Sequence, residues 1–310
     1  MNTERSIALM NRGLMWNQQG RFEMGFPLLF GAHMEDLTCR PAGVAYSEAL
    51  LRKGDWKLGF YLHNHYRLSR SWFKLDQYFP EWQGEDLKGK TILVVEEGGH
   101  GDCFMTARYI PLLERAGAHV IMSVRPSLEA LFSHQEWCGN KPDSVSTPDY
   151  WISCMSLPLH FGIVWEGPYI KAPGPVGSKI MGVGICHKAG AIMDGVDLRS
   201  MPVKAYRRLQ DAFDGWHCDL TIDTFDWTVT ANLISALDLV ITVDTAVMHL
   251  AAAMGKPTWV ALGTWSDWKF GLEGDRMPWY PTVRLFRGGA GGFDTAVDKI
   301  LDSLKEEVYT

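Results

Sequence analysis

Little in this 310-residue chain points to a metal centre, a disulfide framework or a nucleic-acid surface. Its six cysteines, Cys39, Cys103, Cys138, Cys154, Cys186 and Cys218, are scattered without a Cys-x-x-Cys pair, which leaves buried free thiols as the expectation. Positive charge is also scarce. A formal net charge of −6 argues against a broad phosphate-backbone footprint, although a local basic groove would still permit contact with nucleic acid. Every long apolar run is broken by charge or glycine well short of a membrane span, and the opening Met-Asn-Thr-Glu-Arg lacks a basic stretch followed by an apolar one. A cytoplasmic protein without a membrane span is therefore expected. What is present is the balance of a globular protein, 46% apolar and 21% charged, in a chain long enough for two or three domains.

The strongest local signal runs from Leu237 to Pro257. Leu239 to Val243 is a β-branched apolar run suited to a central parallel strand. Asp244 or Thr245 can then cap a helix whose apolar positions Val247, Leu250, Ala251 and Met254 keep helical spacing until Gly255 and Pro257 end it. The free N–H groups and positive dipole end at such a junction suit a phosphate or diphosphate. His249, about one turn into that helix, either adds a donor to the same anion or is a satisfied half-buried histidine.

Taken in order, the chain opens with a repeat. Gly20-Arg-Phe-Glu-Met-Gly-Phe26 returns as Gly54-Asp-Trp-Lys-Leu-Gly-Phe60, an offset of 34 residues (54 minus 20), the tetratricopeptide period. Amphipathic helices over Ile7–Gln18 and Val44–Arg52 precede the two glycines, and a small residue marks the packing seam of each second helix. Two such hairpins cannot bury a core alone, so residues 1–70 are expected to dock beside the rest of the protein. Residues 71–90, aromatic and aperiodic, read as a linker. Alternating β and α patterns then predict a Rossmann-like unit over 91–174, a Pro/Gly hinge at Gly174-Pro-Val-Gly177, a second unit over 175–290, and a terminal helix within 291–310. The helix after the strand Thr91–Val95 should start near Cys103, end at Gly117 and be kinked or shortened by Pro111.

The block Leu237–Pro257, followed by Asp267-Trp-Lys269 and by Asp275 to Arg287, resembles the C-terminal domain of family 9-type glycosyltransferases. More closely, it is similar to bacterial proteins that join tetratricopeptide repeats to such a domain, distant relatives of heptosyltransferases. The resemblance implies an α/β fold in which two Rossmann-like domains face a cleft, the GT-B architecture, behind a short helical segment. It also implies an inverting, metal-independent transferase that moves a sugar from a nucleotide-diphosphate sugar to a hydroxyl acceptor, which could be a saccharide, a protein or a modified base. Gly101-Asp102 matches the family's Gly-Asp, whose carboxylate takes the acceptor proton. From the residues alone, Asp102 reads as a helix cap.

Donor contacts are implied for Asp244, Thr245 and His249, although heptosyltransferases usually carry Thr-Gly where this chain has Asp244-Thr245. Arg199 is the closest match to the family's diphosphate-binding basic residue and Lys188 the second. Trp265 and Asp267, just past a strand end, are placed by topology to touch the nucleoside. Gly99, His100 and Gly101 would line the acceptor side. No Asp-x-Asp near a strand end offers to hold a divalent cation, so no metal or other cofactor is expected. Gly98-Gly-His-Gly101 lacks the G-x-G-x-x-G spacing of a dinucleotide fold. A non-catalytic nucleotide- or sugar-binding module that recruits partners through its repeats is the alternative function.

Overall fold

The computed structural model describes residues 2–67, 75–135, 147–174, 182–190, 197–213, 217–221 and 226–308. Four helices come first: α1 (Thr3–Gln18), α2 (Phe22–Glu35), α3 (Arg40–Lys53) and α4 (Trp56–Tyr66). They pair as two hairpins, and the 34-residue repeat is visible in how they pack. A Cβ on Gly25 of α2 would strike the side chain of Asn17 in α1. A Cβ on Gly59 of α4 would lie 2.6 Å from the Leu51 side chain in α3. Gly25 and Gly59 are repeat equivalents, as are Asn17 and Leu51, so both seams close through the absence of a side chain. Helix α3 ends on Gly54 in the left-handed conformation, and Asp55 caps α4 by accepting from the Leu58 N–H.

The next unit holds a three-stranded parallel sheet in the order β2-β1-β3, with β1 at Thr91–Val95, β2 at His119–Ser123 and β3 at Tyr150–Ser153. Helix α5 (His100–Thr106) follows β1. A 3-10 turn at Ala107–Tyr109 separates it from α6 (Ile110–Arg115), which has Pro111 in its first turn. The single helix expected from Cys103 thus begins three residues earlier and is broken. Gly98, at a φ of +82°, and Gly99 let the chain turn straight from the strand into the helix. Helices α7 (Pro126–Ser133) and α8 (Leu157–Phe161) complete this unit.

The larger sheet has six strands in the order β5-β4-β6-β7-β9-β8. β4 (Val183–Cys186), β5 (Cys218–Asp219), β6 (Leu239–Thr242), β7 (Thr258–Leu262) and β9 (Tyr280–Arg287) are parallel, and the short β8 (Arg276–Met277) pairs antiparallel at the edge. Helices α9 (Val203–Asp211), α10 (Trp227–Ala236), α11 (Ala246–Ala253) and α12 (Gly292–Val308) cover it. Alternation along β6 sends Val240 and Ile241 into the cores on opposite faces, as a strand buried on both sides requires. Most of the proposed hinge, 175–177, lies outside the described residues, as do 71–74 of the linker. The rest of the linker packs on the first sheet: Trp82 donates its N–H to the Trp151 carbonyl at 2.8 Å.

One buried cluster runs through all three parts, from Leu51 and Phe60 of the hairpins through Ile92 and Phe104 to Val240, Trp268 and Trp279. The helical segment is therefore docked. Trp279 and Tyr280, which could have stacked on a base, are fully buried as an aromatic plug with Trp56, Phe60 and Trp268 around Trp279. Arg67, at the end of α4, is buried against Glu81 at 2.6 Å and Glu97 at 3.7 Å, which ties the hairpins to the first sheet. No helix among the described residues is long and apolar enough to cross a membrane.

Candidate active site

In an open parallel sheet the ligand crevice lies beyond the carboxyl ends of strands whose connections diverge to opposite sides. Here that point falls between β1 and β3 in the first sheet and between β4 and β6 in the second. The loops leaving these strands carry Glu96 to Gly99, Cys154, His187 to Gly190, and Asp244 with Thr245. Helices α5 and α11, which follow β1 and β6, meet directly. A Cβ on Gly101 would lie 2.7 Å from the His249 ring and 3.4 Å from the Ala246 Cα, so Gly101 serves close approach of the two halves.

Asp102 sits in the first turn of α5, at its third residue, rather than ahead of the helix as a cap. Its Oδ2 accepts the Gly99 N–H at 2.7 Å, so it performs the capping service from inside the helix. Its Oδ1 meets the Lys269 ammonium at 3.1 Å, and the same ammonium reaches Asp267 Oδ1 at 3.1 Å. Lys269 thus joins a carboxylate of one half to a carboxylate of the other. Asp267 also accepts the Lys269 N–H at 3.1 Å and starts the 3-10 turn Trp268–Phe270, which orients the lysine. Burial alone would lower the Lys269 pKa, but Asp102, Asp267 and Asp244 together drive it well above its ordinary value. Burial alone would raise Asp267; Lys269 and then Arg52 hold it below the usual range.

Asp244 is buried and its Oδ2 has no hydrogen-bond partner among the described residues. Burial, then the nearby Asp267, pushes its pKa up to about 7, against Lys269 and Arg199, which lower it. Thr245 is the N-cap of α11 with a half-buried side chain that makes no capping bond, leaving its hydroxyl for another partner. Arg199 is half-buried and acts on Asp244, while Lys188 is exposed. The loops bearing them are tied together, since Ala189 donates its N–H to Ser200 Oγ at 2.9 Å and Met201 to the His187 carbonyl at 2.8 Å. Trp265 lies under the Arg52 guanidinium at 5.6 Å, beside a cavity of about 160 Å³ at the end of β7.

His249 is buried with Nδ1 3.1 Å from the Tyr280 hydroxyl, and burial, then Lys269, lowers its pKa to about 3. It is a neutral imidazole at working pH. His100 reaches Ser127 Oγ at 2.8 Å and packs on Trp227 of the opposite half, so it joins the halves as well as flanking the exposed Gly98 and Gly99. The structure brings Asp102, Asp244, Asp267 and Arg199 into one electrostatic group. The sequence reading did not single out Lys269, the cation at its centre, although Asp267-Trp-Lys269 just beyond β7 was the available signal.

Residues 222–270, which contain β6, α11, β7 and Lys269, match the family model described as Glycosyltransferase family 9 (heptosyltransferase). Protein FlbA of Caulobacter vibrioides is 22% identical over 274 residues, covering 66% of this chain and 44% of that protein, so the chain spans less than half the length of this curated relative. Among solved structures, E. coli heptosyltransferase WaaC with ADP-2-deoxy-2-fluoro heptose superposes with a TM-score of 0.51 at 11% identity, covering 70% of this chain and 99% of that one. A family 9 glycosyl transferase from Veillonella parvula has a TM-score of 0.49 at 12% identity, covering 71% of this chain and 90% of that one. Residues 222–270 therefore carry the sequence signature of glycosyltransferase family 9, in a chain with a GT-B-like fold.

Proposed function

We propose that the chain is an inverting glycosyltransferase that moves a sugar from a nucleotide-diphosphate sugar to a hydroxyl acceptor without a metal. The observation that carries this reading is the Asp102–Lys269–Asp267 bridge from the first switch point to the loop after β7, set beside the α11 N-terminus. In this reading the acceptor oxygen bonds to the anomeric carbon as the bond to the diphosphate breaks on the opposite face. The proton passes to Asp102 and the electron pair leaves with the nucleoside diphosphate. A carboxylate suffices as base because the hydroxyl sheds its proton only as the new bond forms. The leaving charge is met by Arg199, Lys269 and the free N–H groups of α11, fixed donors that need no reorganisation.

The nucleotide sugar that most raises the melting temperature identifies the donor class, since a ligand bound only to the native state stabilises it. Replacing Arg199 by Ala should weaken the matching nucleoside diphosphate by about tenfold or more, because a charged hydrogen bond is lost. Unchanged affinity in titration calorimetry would remove Arg199 from the donor site. No stabilisation by any nucleotide sugar, with no release of nucleoside diphosphate, would sink the reading.

Asp244 makes a second expectation, one of sign. A diphosphate placed at the α11 N-terminus adds negative charge beside a carboxyl already raised to about 7 by burial and Asp267, and so raises it further. The complex then holds more protons than the free partners. Affinity should fall as pH rises from 7 to 8.5, with proton uptake visible as a buffer-dependent heat; Asp244→Asn should abolish that dependence. Affinity that rises with pH would contradict a diphosphate beside Asp244.

A further inference from the structure

Both switch-point loops belong to the two Rossmann-like units, yet the site has a third wall. Helix α3 lies against the 3-10 turn that bears Lys269. Arg52 donates to the Ser266 carbonyl and covers Trp265, and Glu48, one turn earlier on the same face, is half-buried with Asp267, Lys269, Arg52 and Asp102 as its charged neighbours. Helix α4 is pinned on either side of His63. Phe60 stacks edge-on against Trp268 at 5.9 Å, and Arg67 reaches Glu97 at 3.7 Å. His63 is thereby held over the junction between the end of β1 and Lys269, and the charges acting on it are Glu97, Arg67, Asp102 and Lys269. Neither the Glu48 carboxyl nor the His63 ring has a hydrogen-bond partner among the described residues. Two half-buried polar side chains without protein partners, beside the base, are free to bond a ligand in place of water.

We propose that the α3–α4 hairpin completes the acceptor site, with Glu48 and His63 hydrogen-bonding the hydroxyls of a saccharide held against Asp102. This rests on the glycosyltransferase reading above. Three carboxylates, Asp102, Asp267 and Glu97, and three cations, Lys269, Arg52 and Arg67, surround the pair, so hydrogen bonding rather than net charge selects the ligand. Burial, then Asp267, brings the Glu48 carboxyl up to about 7, so it is partly protonated near neutral pH, and burial lowers His63; between them the two groups offer donors and acceptors of the kind a polyol matches. The helical segment would then be a structural part of the enzyme and its acceptor filter.

The test uses the full chain, the nucleotide sugar found by thermal stabilisation, and a panel of methyl glycosides of hexoses, pentoses and heptoses as acceptors. Wild type should transfer to at least one glycoside. Glu48→Ala and His63→Phe should each lower kcat/KM for that glycoside by about tenfold, as removal of a hydrogen-bond partner does. Glu48→Gln, which keeps a hydrogen-bonding group of the same shape, should retain most of it. Affinity for the nucleoside diphosphate should fall much less than kcat/KM in all three, because neither side chain is among the groups assigned to the diphosphate. Unchanged kcat/KM, or a parallel loss of nucleoside-diphosphate affinity, would overturn the assignment. So would donor hydrolysis by wild type without transfer to any glycoside, which would place a protein hydroxyl or other acceptor there. Absence of nucleotide-sugar binding and hydrolysis by wild type would instead overturn the underlying glycosyltransferase reading.

Discussion

Asp102→Asn should leave a folded protein that binds nucleoside diphosphate and turns over on the order of a hundredfold to ten-thousandfold more slowly, the usual contribution of a positioned general base. The amide oxygen can still accept the Gly99 N–H that Asp102 Oδ2 now receives at 2.7 Å, so the start of α5 should survive. Lys269 would lose one of its two carboxylates but keep Asp267 at 3.1 Å, which spares the ammonium from isolation. The measurements are initial rates at saturating donor alongside a melting curve and a calorimetric titration. Turnover close to wild type would leave Asp102 as a cap and counter-ion, and the base would have to be sought elsewhere in the cluster.

The contrast between Asp102 and Lys269 shows what a sequence can disclose here. Asp102 follows a strand and a glycine run, and Thr245 follows another strand, so local pattern places both at the mouths of parallel sheets. The seams at Gly25 and Gly59 were legible for the same reason, because a repeat period is a local signal. Lys269 lies in Asp267-Trp-Lys269, a run that carries part of the family resemblance but assigns the lysine no role, and its importance comes from Asp102, far away in the chain, meeting it across the halves. Glu48 and His63 are harder still. Helical periodicity tells which face of α3 or α4 is turned inward, yet nothing local says that the surface it meets is the end of β7 and the mouth of β1. Trp279 shows the reverse: its aromatic–proline run suits either a plug between domains or stacking on a base or sugar, and packing against Trp56, Phe60 and Trp268 makes it the plug.

Lys269→Met should be the most destabilising single change in the site, by about 3–5 kcal/mol, because removing one partner of a buried ion pair strands the other charges. The Lys269 side chain is only 10% exposed and those of Asp102 and Asp267 19% and 22%, so water can replace little of what the ammonium supplies. The loss should depend on pH in a definite direction. Without the cation the carboxyls of Asp267 and Asp244 are driven up relative to the unfolded chain, where an aspartate titrates near 4. The native variant then holds more protons than the unfolded one, and its stability falls as pH rises through that window. Denaturant unfolding of the variant and wild type should thus differ most near pH 8 and converge toward pH 5. Lys269→Arg, which keeps the charge, should recover part of the difference at pH 8. A deficit that is small, or equal at both pH values, would mean that solvent rather than Lys269 balances the three carboxylates, and the cluster would lose its claim to be a preorganised site for a leaving diphosphate.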